Sequence, residues 1–173
     1  MQKDYIMRIV EQFVEAILAI MKRRKAGEYK EARIQVQIAT RSLLRTDLDL
    51  LLLYDNEQIL DHFKNFSNQF ETEKCVLGAS LFYELALIEE AEKQFASAHR
   101  LKELCLHLYA IGLPKEVQFQ KPQYFETLSS LVEELHNQPP SDEAASSLKV
   151  CEDLITNLSD KKQRRSKCQA SQE

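Results

Sequence analysis

Residues that break helices are scarce in this chain, and this scarcity constrains the fold more than any other feature of the sequence. Only three glycines occur in 173 residues, at Gly27, Gly78 and Gly112, and no proline precedes Pro114. Tight β-turns depend on glycine, proline and Asn-Gly or Asp-Gly pairs, and these pairs are absent. The sequence therefore predicts long helices up to residue 113 and an all-α fold.

Apolar residues recur at helical spacing along most of the chain, which predicts about six to eight helices. Gly27 follows the first pattern and predicts a C-cap there, with the basic cluster 22–25 in the last helical turn. Gly112 and Pro114 predict the end of another helix. The main predicted helices cover residues 3–25, 28–46, 57–69, 72–92, 95–112, 122–137 and 141–158.

The second predicted helix has apolar residues on two faces. One face carries a run from Tyr29 to Leu43, whereas Ile34 and Ile38 lie on nearly the opposite side. A helix that is apolar on two faces has to bury both of them. We therefore expect this helix to be either a middle layer of the fold or part of an interface between copies of the chain.

The sequence also predicts the compartment of the cell in which the protein resides. No apolar stretch reaches the length of a transmembrane helix, and the apolar run 13–21 is followed rather than preceded by basic residues, which is the wrong order for a signal peptide. The four cysteines, at positions 75, 105, 151 and 168, form no CxxC pair. We expect a cytoplasmic protein with reduced thiols, and Cys105 on the apolar stripe of its helix is predicted to be structural.

Charge is uneven along the chain. The net charge is −4, but residues 159–173 hold five basic and two acidic residues, which leaves −7 on the remainder. Such an acidic body repels nucleic acid. The tail lacks apolar periodicity and is predicted to be disordered, with contact to nucleic acid through it as a disfavoured alternative.

The segment 25–32, with the sequence KAGEYKEA, resembles the centre of a tetratricopeptide repeat. That family stacks antiparallel helix pairs of about 34 residues into a superhelix. Gly27 stands at the turn of the motif, Tyr29 at its aromatic position, and Ala32 and Ala39 at its small positions. A second, weaker match to the repeat motif lies about 66 residues further on. It runs from Phe82 to Cys105 and has no glycine at the turn.

The resemblance implies a right-handed, tetratricopeptide-like array of antiparallel helical hairpins. We predict that residues 1–137 form this domain, that 138–158 form a Pro-Pro linker with an amphipathic helix, and that 159–173 form the basic tail. The segment 1–53 also resembles an uncharacterised family of small bacterial helical proteins, and that resemblance implies no activity.

One polar cluster is a candidate metal site. His99, Glu103 and His107 follow each other at intervals of four on one predicted helix, opposite its leucines. Side chains at this spacing are neighbours, and two imidazoles with a carboxylate are ligands that zinc accepts. The alternative interpretation is a solvated polar face.

Two function classes remain open. The first is a protein-interaction module that binds a protein or peptide and self-associates as a homodimer, with Ile34, Ile38, Tyr83 and Tyr109 as its contact residues. The second is a small metal-dependent helical enzyme that uses His99, Glu103 and His107. Phosphate-binding loops and the common hydrolase motifs are absent from the sequence, so we expect no cofactor, no membrane and a non-enzymatic role.

Overall fold

The computed structural model describes the backbone of residues 2–116, 119, 121–138 and 140–170, and the side chains of 7–116, 119, 121–138 and 140–160. Within these ranges the chain forms helices and one isolated antiparallel bridge, between Lys64 and Phe70, which confirms the all-α prediction. The helices are α1 Gln2–Lys25, α2 Tyr29–Leu44, α3 Leu48–Leu51, α4 Asn56–Asp61, α5 Thr72–Ala91, α6 Phe95–Gly112, α7 Pro122–Asn137 and α8 Asp142–Ala170.

The first hairpin, α1 with α2, turns at Gly27 as predicted. Gly27 adopts φ 78°, in the left-handed region where glycine carries no steric penalty. The amide of Glu28 donates to the carbonyl of Arg23 at 3.0 Å and so closes the end of α1. Phe13 and Ile20 of α1 are buried in the same core as Ala32 and Val36 of α2.

The second hairpin, α5 with α6, is the centre of the fold. The α5 helix contacts α1, α2 and α6, and it is buried on nearly every side. Gly78 lies against the ring of Phe63, where an added Cβ would sit 2.2 Å from a ring carbon. Gly112 permits a similar close approach, because a Cβ there would lie 2.7 Å from the Thr72 carbonyl oxygen.

The segment between the two hairpins departs from the prediction. The helix expected over 57–69 ends at Asp61, because a turn centred on Asn65 replaces its second half. The Asn65 side-chain oxygen accepts hydrogen bonds from the amides of Ser67 at 2.9 Å and Gln69 at 3.0 Å. Asparagine stabilises such turns at the expense of helix.

The C-terminal helices belong to the same core as the hairpins. Both α7 and α8 contact α6, and Ala144 and Cys151 of α8 are buried in the main core cluster. The helix expected over 141–158 continues to Ala170, so the part of the tail 159–173 that the structure describes is helical where we predicted disorder. Residues 171–173 lie outside the described residues.

A candidate binding groove beside the first hairpin

The two faces of α2 have different environments. Ala32, Val36 and Ala39 are buried, on the side that faces α1 and α5. Ile34 and Ile38 remain 48% and 58% exposed. Within the described part of the chain, α2 is therefore an outer helix and not the middle layer that was one of the two expectations.

Ile38 borders an open groove with a volume of about 690 Å³. Its walls come from the N-terminal half of α1, the C-terminal half of α2 and the first turns of α5. Ile34 does not line it, although it lies on the same helix. The apolar side chains of the groove include Ile9, Val10, Phe13, Ile38, Leu43 and Leu77.

Ion pairs join the first hairpin to α5 at the end opposite the groove. At that end, next to Gly27, the guanidinium of Arg24 contacts Glu84 of α5 at 2.7 Å, and Arg33 of α2 pairs with Glu89 of α5. These contacts link α5 to both helices. Towards the start of α5 the three helices enclose the groove instead.

The rim of the groove carries both signs of charge. Arg8 and Arg45 are exposed at the ends of α1 and α2, and Lys74 and Glu71 form an ion pair of 3.0 Å on the α5 side. An apolar floor with a charged rim is the composition typical of a protein-binding surface. The groove therefore suits an apolar segment of a protein.

The two tyrosines predicted as partner contacts lie elsewhere. Tyr109 is 1% exposed, its hydroxyl lies 3.0 Å from Ser80 Oγ, and burial raises its pKa. The prediction that Tyr109 contacts a partner was wrong, because the face of α6 that carries Tyr109 packs into the core. Tyr83 is half-buried, and burial together with the nearby Glu134 carboxylate raises its pKa to about 12.

The predicted metal cluster forms part of the contact between α6 and α8. His99 Nε2 lies 3.7 Å from Glu103 Oε1, whereas His107 Nδ1 lies 2.8 Å from Ser147 Oγ of α8. Among the side chains that the structure describes, no group of three or more His, Cys, Asp or Glu is placed to hold a metal ion. Metal binding by His99, Glu103 and His107 stays a prediction, and their contacts give them a structural role.

Glu103 anchors the start of α8. It is almost buried, and its Oε1 accepts a hydrogen bond of 2.6 Å from the Ser141 amide. A carboxylate at this position offsets the positive end of the helix dipole. The burial and the hydrogen bond of Glu103 show that the alternative of a solvated polar face is wrong for this residue.

Burial also affects the neighbouring His107. It lowers the pKa of His107, and the Glu103 and Glu143 carboxylates oppose that shift.

The burial of one lysine was not predicted from the sequence. Lys102 pairs with Glu90 at the end of α5 and with Glu134 of α7. Burial alone would lower the pKa of Lys102, but its hydrogen bonds to Glu134 and Glu90 outweigh that effect and raise it. The amino group is therefore held protonated, so it joins three helices and is not poised as a base. The signal in the sequence was a lysine followed by a glutamate within the segment 101–106, whose other four residues are apolar.

The cysteines that the structure describes are buried thiols. Cys75, Cys105 and Cys151 are free and buried, and burial raises the pKa of Cys75 and Cys151 to about 12 and that of Cys105 well above its ordinary value. The prediction that Cys105 is a structural residue on the apolar face agrees with this burial. Thiols of this kind are poor nucleophiles, because the reactive form is the thiolate.

The comparisons with known proteins add no identification. No protein-family model, no curated protein and no solved structure matches the chain at a significant level. The described helices include none that combines the length and apolar character required to cross a bilayer. The function has to be argued from the geometry of the chain itself.

Proposed function

We propose that the protein is a protein-interaction module that receives an apolar segment of a partner protein in the groove between α1, α2 and α5. The observation that carries this proposal is the groove of about 690 Å³, in which exposed Ile9 and Ile38 flank an apolar floor. Exposed apolar surface with a polar border marks interaction sites on soluble domains.

The arrangement of the hairpins supports a helical-repeat architecture of the tetratricopeptide kind. Both helices of the first hairpin contact α5, the first helix of the next hairpin, as neighbouring units do in a stacked array. Arrays of this type present long grooves that bind peptides and helices. Three buried free thiols further favour a reducing compartment such as the cytoplasm.

Site-specific photo-crosslinking tests the proposal, with Ile34 as a matched control for Ile38. Both are isoleucines of α2 with similar exposure, and only Ile38 lines the groove. A benzophenone amino acid replaces one or the other in cells that express the chain, and mass spectrometry identifies the adducts. We expect a dominant protein adduct from position 38 that is missing from position 34.

The captured protein is then purified and its affinity measured. We expect Ile38→Asp to weaken binding at least tenfold, a loss of about 1.4 kcal/mol, and Ile34→Asp to leave it unchanged. Equal adducts from both positions, or full affinity of Ile38→Asp for the captured protein, would refute the groove as the binding site.

A further inference from the structure

An aromatic side chain projects from the segment that joins the two hairpins. Phe66 is fully exposed, at 113% of its reference area, which is unusual for a large apolar residue on a well-formed turn. The turn is held by hydrogen bonds from Asn65 N to Gln69 O at 2.8 Å and from Asn68 N to Asn65 O at 2.9 Å. The backbone that carries Phe66 is therefore held in a defined turn, and little backbone entropy is lost when the ring binds.

The projecting turn and the groove belong to one region of the surface. The connecting segment leaves α2 after Arg45 and rejoins the fold at Glu71, and both of these residues line the groove. A hydrogen bond of 2.8 Å from Glu71 N to Phe63 O ties the base of the Phe66 turn to the start of α5. The chain thus carries an apolar projection and an apolar cavity on neighbouring surfaces.

We propose that the occupant of the groove is a second copy of this chain, with Phe66 of each copy inserted into the groove of the other. This inference rests on the groove being the binding site, as proposed above. In a two-fold symmetric dimer the same surface of both copies meets itself, so a projection and its cavity must lie on that one surface. The connecting segment carries the projection, and both of its ends, Arg45 and Glu71, line the groove.

The charges of the rim fit the same arrangement. Arg8, Arg45 and Lys74 supply positive charge, and Glu71 and Glu73 supply negative charge. A rim of a single sign would repel its two-fold mate, whereas a mixed rim allows basic groups of one copy to approach acidic groups of the other. Charge complementarity therefore favours a second copy over a strongly acidic or strongly basic partner.

The exposed apolar side chains of the connecting segment and the groove suit a dimer as well. Each inserted phenylalanine buries roughly 150–250 Å², while a stable interface buries about 1,200–2,000 Å² in total. The insertion of two rings therefore needs further apolar contacts. Leu50 and Leu53 of the same connecting segment are 55% and 80% exposed, and Ile38 on the groove is 58% exposed, so these side chains are available for such contacts.

Sedimentation velocity over a range of protein concentrations tests the proposal, with Phe95 as a matched control for Phe66. Phe95 is also an exposed phenylalanine, at 65%, and it lies at the start of α6. We expect the unaltered chain to be a dimer and Phe66→Ser to weaken it at least tenfold, as for an aromatic hot spot. Phe95→Ser should leave the dimer unchanged. Both positions are exposed, so thermal unfolding should show both variants folded.

A crosslink places the projection in the groove. A benzophenone amino acid at position 66 of an unlabelled copy is mixed with an isotope-labelled copy, and we expect it to react with labelled peptides that contain Ile9, Phe13, Ile38 or Leu77. A monomeric chain, a dimer that survives Phe66→Ser, or crosslinks confined to other surfaces would overturn the inference. If the chain is a monomer but position 38 still captures a different protein, the groove remains the site and only the second copy is refuted.

Discussion

The two hairpins share one turn geometry but differ in the residue that forms it. Gly27 of the first hairpin and Lys93 of the second both adopt a left-handed backbone, with φ 78° and 63°. The next residues, Glu28 and Gln94, have nearly the same φ and ψ, −84° and 62° against −90° and 62°. The amides of Glu28 and Gln94 both donate to the carbonyl five residues earlier. The turn is therefore set by its hydrogen bonds, and glycine only lowers its cost.

The environments of the hairpins differ much more than their turns. The second hairpin is covered by the first hairpin, α7 and α8, and its first helix α5 is buried almost throughout. The first hairpin is covered on one side only, and it leaves Leu18, Ile34 and Ile38 exposed. In a stacked array an end unit usually has a polar outer face. The apolar outer surface of the first hairpin therefore departs from that pattern, and it is the observation behind the proposal that this hairpin binds a partner.

The largest expected effect comes from breaking the contact between the hairpins. Arg24→Ala should lower the free energy of unfolding by about 3 kcal/mol, because it leaves the Glu84 carboxylate buried without its cation. The Glu84 side chain is only 7% exposed, and that of Arg24 is 19% exposed. Denaturant unfolding at neutral pH measures the loss.

The adjacent arginine provides the control. Arg23 pairs with Glu28 inside the first hairpin, where both side chains are nearly half exposed, and exposed pairs contribute less than about 1 kcal/mol. Arg23→Ala should therefore be much milder. Equal losses in the two variants would mean that the Arg24–Glu84 pair does not hold the hairpins together.

The sequence was sufficient to predict most of the fold, because the fold depends on local signals. Periodicity located the long helices, and Gly27 predicted the first turn. The turn of the second hairpin could not be predicted from the sequence, because a lysine such as Lys93 rarely adopts a left-handed backbone. The helix over 57–69 was predicted too long, because the preference of Asn65 for a turn was weaker as a signal than the apolar spacing around it.

The candidate site was only partly predictable, because it is assembled from three helices. Ile38 stood out as an apolar residue on the second face of α2, but Ile34 stood out in the same way. Only the packing of α5 places one of them on a groove.

The polar residues of α6 were wrongly predicted for a related reason. Glu103 and His107 contact α8, and spacing along one helix does not reveal what a distant segment will cover.

Exchanging the turn residues tests whether the two turns are equivalent. Gly27→Ala should destabilise the protein by about 1–2 kcal/mol, because alanine pays the steric cost of a left-handed backbone. An added Cβ at Gly27 meets no atom within 4 Å, so the cost is conformational. Lys93→Gly should act in the opposite direction and stabilise the protein by about 1 kcal/mol. Thermal or denaturant unfolding measures both changes.

The control for the second exchange is Lys93→Ala, which removes the charge but keeps the strained backbone. We expect this variant to unfold close to the unaltered chain, within about 0.5 kcal/mol. If Lys93→Ala stabilises the protein as much as Lys93→Gly, the charge of Lys93 matters and its backbone does not. The two turns would then differ in more than their sequence.

The smallest expected effect is a change of protein stability with pH, which arises at His107 where α8 packs on the second hairpin. Burial holds the pKa of His107 below its ordinary value of 6.5, so the folded protein resists the proton that the unfolded chain accepts. The stability that neutral His107 contributes is complete above pH 6.5 and declines as the pH falls from 6.5 through the folded pKa. The change should be modest, because Glu103 and Glu143 lie near enough to favour the imidazolium.

His107→Gln isolates this contribution, because glutamine can still hydrogen-bond Ser147 Oγ and does not titrate. Unfolding is measured for both proteins between about pH 7.5 and pH 5, so that the contributions of all other groups are common to both. We expect the stability of the unaltered chain relative to His107→Gln to decrease towards acid pH. A constant difference, or one that grows in acid, would show that His107 is not held neutral by α8. The cover of the second hairpin would then depend on Glu103 and apolar packing.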